Sequence, residues 1–202
     1  IYKVSDFFDG NGELDLLVDI DQKNRFEEII FNNGFISLKV NGLLEKKGIE
    51  HYIKFSNGKY FHLHIYYKLI TGNHFVKEYE FPLDKSLFSN YTLYNNVKVA
   101  SKELEIAFLI IRLIIKKSVL FQNIKIKELD RLAILSKTCD ATSVLNHVEK
   151  ISPKTKASFK ELLLLALDEK GISNNNNSIL KEFSNYKTLR GIRYAFKYLK
   201  IR

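Results

Sequence analysis

The sequence predicts an α+β protein, with strands and helices mixed through about residue 100 and helices alone beyond it. Three observations carry that prediction. Asn57-Gly58 stands between two strand-like runs, the strongest short-range signal for a hairpin. The branched apolar run 14–20 (LDLLVDI) suits a buried strand, and it is followed by Phe26, Ile29 and Ile30 at helical spacing. From Ser101 onward, amphipathic segments of helix length succeed one another.

Taken in order, Asp19 or Asp21 is placed to cap the first helix, and Asn33-Gly34 to end it. Residues 35–40 alternate like a strand, and strands over about 50–55 and 59–67 flank Ser56-Asn57-Gly58. Pro82 and Asp84 mark a turn into a short helix, and 92–99 form a hairpin around Asn95-Asn96. Ser101 is the expected N-cap of a helix whose Glu103 and Glu105 suit the positive end of its dipole. Helices are expected over about 102–118, 126–138, 141–150 and 157–170, the last closed by Gly171. A four-Asn linker, 174–177, then leads to a final helix over about 185–200. Its apolar face is Tyr186, Leu189, Ile192, Phe196 and Leu199. The expected domains are 1–100 and 101–202.

The composition is that of a globular chain, 46% hydrophobic and 27% charged over 202 residues. Its formal charge of +9 draws nucleic acid, anionic lipid or phosphate-bearing substrates, unless Lys- and Asn-rich coding alone accounts for it. The single Cys139 forms no internal disulfide, which fits a reducing, cytoplasmic setting. No run reaches the ~18 apolar residues of a membrane span, since 106–115 is interrupted by Arg112 and closed by Lys116-Lys117. With no Met at Ile1 or elsewhere, a processed chain or a piece of a longer one is expected. The sequence has no GxGxxG, P-loop or CxxC pair, so dinucleotide, P-loop and zinc-ribbon chemistry has no support.

The segment that reads as chemistry is Gly10-Asn11-Gly12-Glu13-Leu14-Asp15. A glycine turn opens a strand on which Glu13 and Asp15 share a face, about 7 Å apart. Two such carboxylates can grip Mg²⁺ or Mn²⁺ through oxygen, and a metal so held neutralises a triphosphate. The plainer alternative is a solvated strand entrance with a capping acid. His62 and His64 also share a strand face. With Asp15 they would make a mixed site for Zn²⁺ or Mn²⁺, or they would hold a phosphate, or one would act as general base. Ordinary strand histidines hydrogen-bonded to their neighbours are the alternative. His51, His74 and His147 show no partner spacing, and Cys139 lies in no nucleophile motif.

The run from Gly12 to Val18, preceded by a glycine turn and followed by a helix, resembles the signature of the DNA polymerase beta-like nucleotidyltransferase superfamily. In particular, 13–19 is similar to a bacterial group of nucleotidyltransferase-like proteins, sometimes fused to kinase-like domains and often associated with surface-polysaccharide genes. The stretch from Gly58 to Gly72 and the helix start from Ser101 to Glu105 are similar to the same group. The resemblance covers roughly residues 9–118. It implies a nucleotidyltransferase-like mixed β-sheet with flanking helices and an all-helical C-terminal half. It further implies transfer of a nucleotidyl or phosphoryl group from a nucleoside triphosphate to a small-molecule, phosphate-bearing or glycan-precursor acceptor. Glu13 and Asp15 would hold Mg²⁺ or Mn²⁺, and His62 and His64 would complete the catalytic set. Gly10, Gly12, Lys54, Lys59 and Lys68 would serve the phosphates, and a fused or partner domain is expected.

Three departures bear on activity. Glu13 stands where the pattern has Asp, the pattern's opening helix and earlier glycine turn are not recognisable, and its third carboxylate is missing where His62 and His64 lie. A catalytically degenerate module that binds a nucleotide or phosphosugar is therefore the second expectation. The third is a nucleic-acid-binding module, as in toxin–antitoxin pairs built on a minimal fold of this kind. It would use the basic stripe Lys187, Arg190, Arg193, Lys197 and Lys200, which otherwise is the solvated face of a docked helix.

Overall fold

In the computed structural model, which describes residues 7–10, 12–39, 48–71, 79–81, 84–94, 96–118, 126–150, 158–167 and 181, the first apolar run forms strand β1 (Glu13–Leu17). The strand ends where the Asp19 carboxylate accepts the Asp21 N–H at 3.1 Å and caps a 3₁₀ turn, Ile20–Gln22. Helix α1 (Lys23–Asn32) follows. It stops before Gly34, whose φ of +80° supplies the left-handed residue a helix terminus favours. The strand expected over 35–40 is shorter among the described residues, β2 (Ile36–Ser37), an edge strand that pairs with Ile53 and Tyr52. Strands β3 (Ile49–Ser56) and β4 (Lys59–Tyr66) form the hairpin. Asn57 and Gly58 both take positive φ, 51° and 72°, as a two-residue primed turn requires.

These strands make one mixed sheet in the order β1-β4-β3-β2, with β1 parallel to β4 and the other pairs antiparallel. Parallel neighbours need a crossover connection, and here the crossover carries α1. Alternation along the strands then separates two faces. One face holds Tyr52, Leu63 and Ile65 in a core with Phe7, Ile30 and Tyr67, and Leu14, Leu16 and Phe26 pack against it. The other face gathers the charged and aromatic residues considered below.

Short strands β5 (Leu69–Thr71) and β6 (Tyr79–Phe81) pair with each other. The chain divides into two compact units, Ile1–Ile70 and Thr71–Arg202. In the second, α2 (Asp84–Ser89) precedes a hairpin of β7 (Tyr91–Tyr94) and β8 (Val97–Ala100). Helix α3 (Lys102–Ser118) begins at Ser101, whose hydroxyl accepts the Leu104 N–H at 3.4 Å. Helices α4 (Ile126–Ser136), α5 (Ala141–Glu149) and α6 (Phe159–Leu167) pack around α3. Asp140 caps α5 through the N–H groups of Thr142 and Ser143, and Ser158 and Glu161 form a reciprocal capping box on α6.

Helix α3 is the core of its unit, with Leu104, Ile106, Ile110, Ile111 and Leu113 at 0% exposure. The charges that interrupt its apolar run are paired. Lys116 and Arg112 reach the buried Glu128 at 2.6 and 3.1 Å. A buried charge left without its partners would be strongly destabilising, so this arrangement holds only with all three groups present. Among the described residues no helix is long and apolar enough to cross a membrane. The expected final helix over 185–200 and the four-Asn linker lie outside the described residues.

Candidate functional site

The site is assembled by strand register. In the parallel ladder Glu13 stands beside His62 and Asp15 beside His64. In the hairpin ladder His51 stands opposite His64, and Ile53 opposite His62. Alternation therefore places Glu13, Asp15, His51, His62 and His64 on one face, the reverse of the face that carries Leu63 and Ile65. His51 is the residue that sequence reasoning missed. Its signal was present, because a two-residue turn at Asn57-Gly58 fixes the register, and counting outward from it sets His51 opposite His64.

The contacts are close. Asp15 Oδ1 lies 3.0 Å from His64 Nδ1, and Glu13 Oε2 lies 3.6 Å from His62 Nδ1. Nδ1 of His51 is 3.0 Å from Nε2 of His62, so one of these nitrogens donates and the other accepts. The Tyr66 hydroxyl is 3.3 Å from His64 Nδ1. The three imidazoles are nearly parallel, with interplanar angles of 15° to 24°. His51 stacks on His64 with centroids 4.3 Å apart and on His62 at 5.2 Å.

Two electrostatic features follow. Burial holds the His62 pKa below its ordinary value, with the neighbouring His64 adding to the effect and the Glu13 carboxylate opposing it. His62 is therefore a neutral imidazole at pH 7. His64 is buried, and its Nε2 has no hydrogen-bond partner among the described residues. A buried ring nitrogen left unpaired costs about 1–3 kcal/mol.

Glu13, Asp15 and His64 each offer a ligand atom, all within 4.8 Å of one another. Two carboxylates with an imidazole form a donor set suited to Mn²⁺ or Zn²⁺, and more weakly to Mg²⁺, which prefers oxygen alone. The unpaired His64 nitrogen supports the fit.

The remaining predicted residues do not gather on this face, and alternation along β4 sets Lys59 on the reverse side with Leu63. Gly10 takes φ +75°, and a side chain there would stand 2.7 Å from Lys59 Cβ, so Gly10 allows the turn before β1 to pass close over the start of β4. Gly12 leads directly into β1. Lys54 lies on the opposite face, its ammonium 5.8 Å from the Phe35 ring centroid. Lys68 follows the end of β4, at the far end of the strand from Lys59. The stripe Lys187, Arg190, Arg193, Lys197 and Lys200 and His74 lie outside the described residues. In the helical unit, burial raises the pKa of Cys139, so the thiol is not activated, and burial lowers that of His147. Comparison with known proteins finds no matching family model, no matching curated protein and no matching solved structure.

Proposed function

We propose that the face bearing Glu13, Asp15 and His64 binds a divalent metal together with a nucleoside triphosphate, and transfers a nucleotidyl or phosphoryl group to a hydroxyl acceptor. The single observation behind this reading is the convergence of those three ligand atoms within 4.8 Å beside a buried, unpaired His64 nitrogen. The family resemblance of Gly12 to Val18 adds a nucleotidyltransferase-like fold and names the acceptor class, a small molecule or glycan precursor of bacterial surface-polysaccharide synthesis. A bound Mg²⁺ or Mn²⁺ would supply charge neutralisation for the polyphosphate. The rest falls to the chain's own residues. His62, neutral and close to Glu13, takes the proton of the acceptor hydroxyl as its oxygen bonds to phosphorus and the bond to the leaving group breaks, releasing pyrophosphate in nucleotidyl transfer or nucleoside diphosphate in phosphoryl transfer. His62 thus stands in for the third carboxylate that the resemblance leads one to expect. Asp15 orients His64 through the 3.0 Å contact.

Calorimetry with ATP and Mn²⁺ or Mg²⁺ tests the proposal. Binding is expected to require the metal and to weaken at least about tenfold in Asp15→Asn. Equal binding without metal, or binding that survives the substitution, removes it. A second reading, nucleotide or phosphosugar binding without turnover, draws support from the histidines that β4 offers where a carboxylate is expected. Metal-dependent binding with no product released would favour it.

A further inference from the structure

The face that carries the proposed site continues past it to the hairpin end, and what it presents there is aromatic. Phe55 and Tyr60 are cross-strand partners, their ring centroids 5.1 Å apart. Both point to the same side of the sheet as His62 and His64, because Tyr60 is two residues before His62 on β4. From Tyr60 a column of rings runs along β4. Centroid separations are 6.1 Å to His62, 6.3 Å from there to His64, and 4.5 Å on to Tyr66. The inner rings are covered, but Phe55 is 73% exposed and Tyr60 40%.

We infer that Phe55 and Tyr60 form the platform on which the nucleobase of the bound nucleotide stacks. This rests on the proposed function, and it adds the part of the substrate that the carboxylate–histidine cluster does not touch. Charge divides the face to match. The acids Glu13 and Asp15 sit together on β1, where a metal-bound polyphosphate would lie, whereas the hairpin end offers flat, uncharged rings. A strand advances about 7 Å per two residues, so Tyr60 stands about one such step from the level of Glu13 and two from that of Asp15. A nucleotide spans that distance with its phosphates at one end and its base at the other. Stacking on aromatic side chains is the general means of holding a base without reading its edge, so the platform favours nucleotides over bare polyphosphate without choosing among bases.

The test compares two probes, ATP and inorganic tripolyphosphate, each with Mn²⁺ in a titration calorimeter. Wild type is expected to bind ATP more tightly than tripolyphosphate. Phe55→Ser and Tyr60→Ser are each expected to weaken ATP binding about tenfold and to leave tripolyphosphate binding unchanged, which also shows that the variants are folded. Tyr60→Phe, which keeps the ring, retains wild-type affinity. Wild type binding both probes equally, or the serine variants losing both to the same degree, overturns the platform while the proposed function stands. If wild type binds neither probe with metal, the proposed function falls and the platform falls with it.

Discussion

The two faces of the four-stranded sheet each carry a cluster of charged and aromatic residues, and the clusters differ in how completely their members are paired. On the covered face the Tyr52 hydroxyl lies 2.7 Å from Glu27 and 2.5 Å from Glu50, and the Tyr67 hydroxyl donates to Glu50 at 3.1 Å. Lys23 completes this network by bonding Glu50, with Glu27 3.7 Å away. Burial alone would raise the Glu50 pKa, but the hydrogen bonds from Lys23, Tyr52 and Tyr67 together hold it below its ordinary value. On the histidine face Asp15, His64, His62, His51 and Tyr66 are as densely arranged, yet the buried His64 Nε2 has no partner among the described residues. A network that serves only to hold α1 on the sheet has no reason to leave a buried nitrogen unsatisfied. The covered cluster is complete as it stands, and the histidine cluster keeps one unpaired buried nitrogen.

Truncations on the two faces give the sharpest test of this contrast. Ile65 is fully buried, so Ile65→Ala is expected to cost about 2–5 kcal/mol in urea unfolding. Asp15→Asn, at a side chain 39% exposed, is expected to cost under about 1 kcal/mol while weakening metal-dependent binding at least about tenfold. Comparable losses of stability would make the histidine face as structural as the covered one. Tyr52→Phe comes next in size. It keeps the buried ring but removes the hydroxyl shared by two glutamates, and a loss of about 1–3 kcal/mol is expected. If its unfolding midpoint equals that of wild type, the covered network contributes nothing and its completeness carries no meaning.

Much of this was legible in the sequence, for reasons that differ from element to element. The hairpin was readable because Asn57 and Gly58 both accept positive φ, and the resulting register also contained the position of His51. Asp19 and Ser101 were readable as caps because capping needs only local geometry, although Asp19 caps a 3₁₀ turn before the helix. The pairing of Glu13 with His62 and of Asp15 with His64 was not readable, since it depends on a parallel crossover of more than forty residues with no local register signal. Nor was the position of Lys54. A lysine on a half-covered face looks the same in sequence as one on an exposed face, and only packing on Phe35 shows where its ammonium goes.

The smallest expected effect, on the pH dependence of stability, separates the faces by their titration windows. Burial lowers the His62 pKa below its ordinary 6.5, so the unfolded chain takes up that proton first. The stability His62 contributes is therefore intact above pH 6.5 and declines as the pH falls below it. Glu50 is also depressed, from an ordinary 4.5, so its contribution is intact above pH 4.5 and is lost only below that. Acid should then weaken the metal-free protein in two stages, the histidine face first and the covered network second. His147 is held low by burial in the same way and shares the first stage, so His62→Asn should reduce that stage without abolishing it, and should leave the second unchanged. Urea midpoints measured from pH 8 to pH 3 on both proteins would show this. An identical decline between pH 6.5 and 5 in wild type and His62→Asn would mean that His62 is not held neutral by the fold, and its assignment as proton acceptor would fail with it.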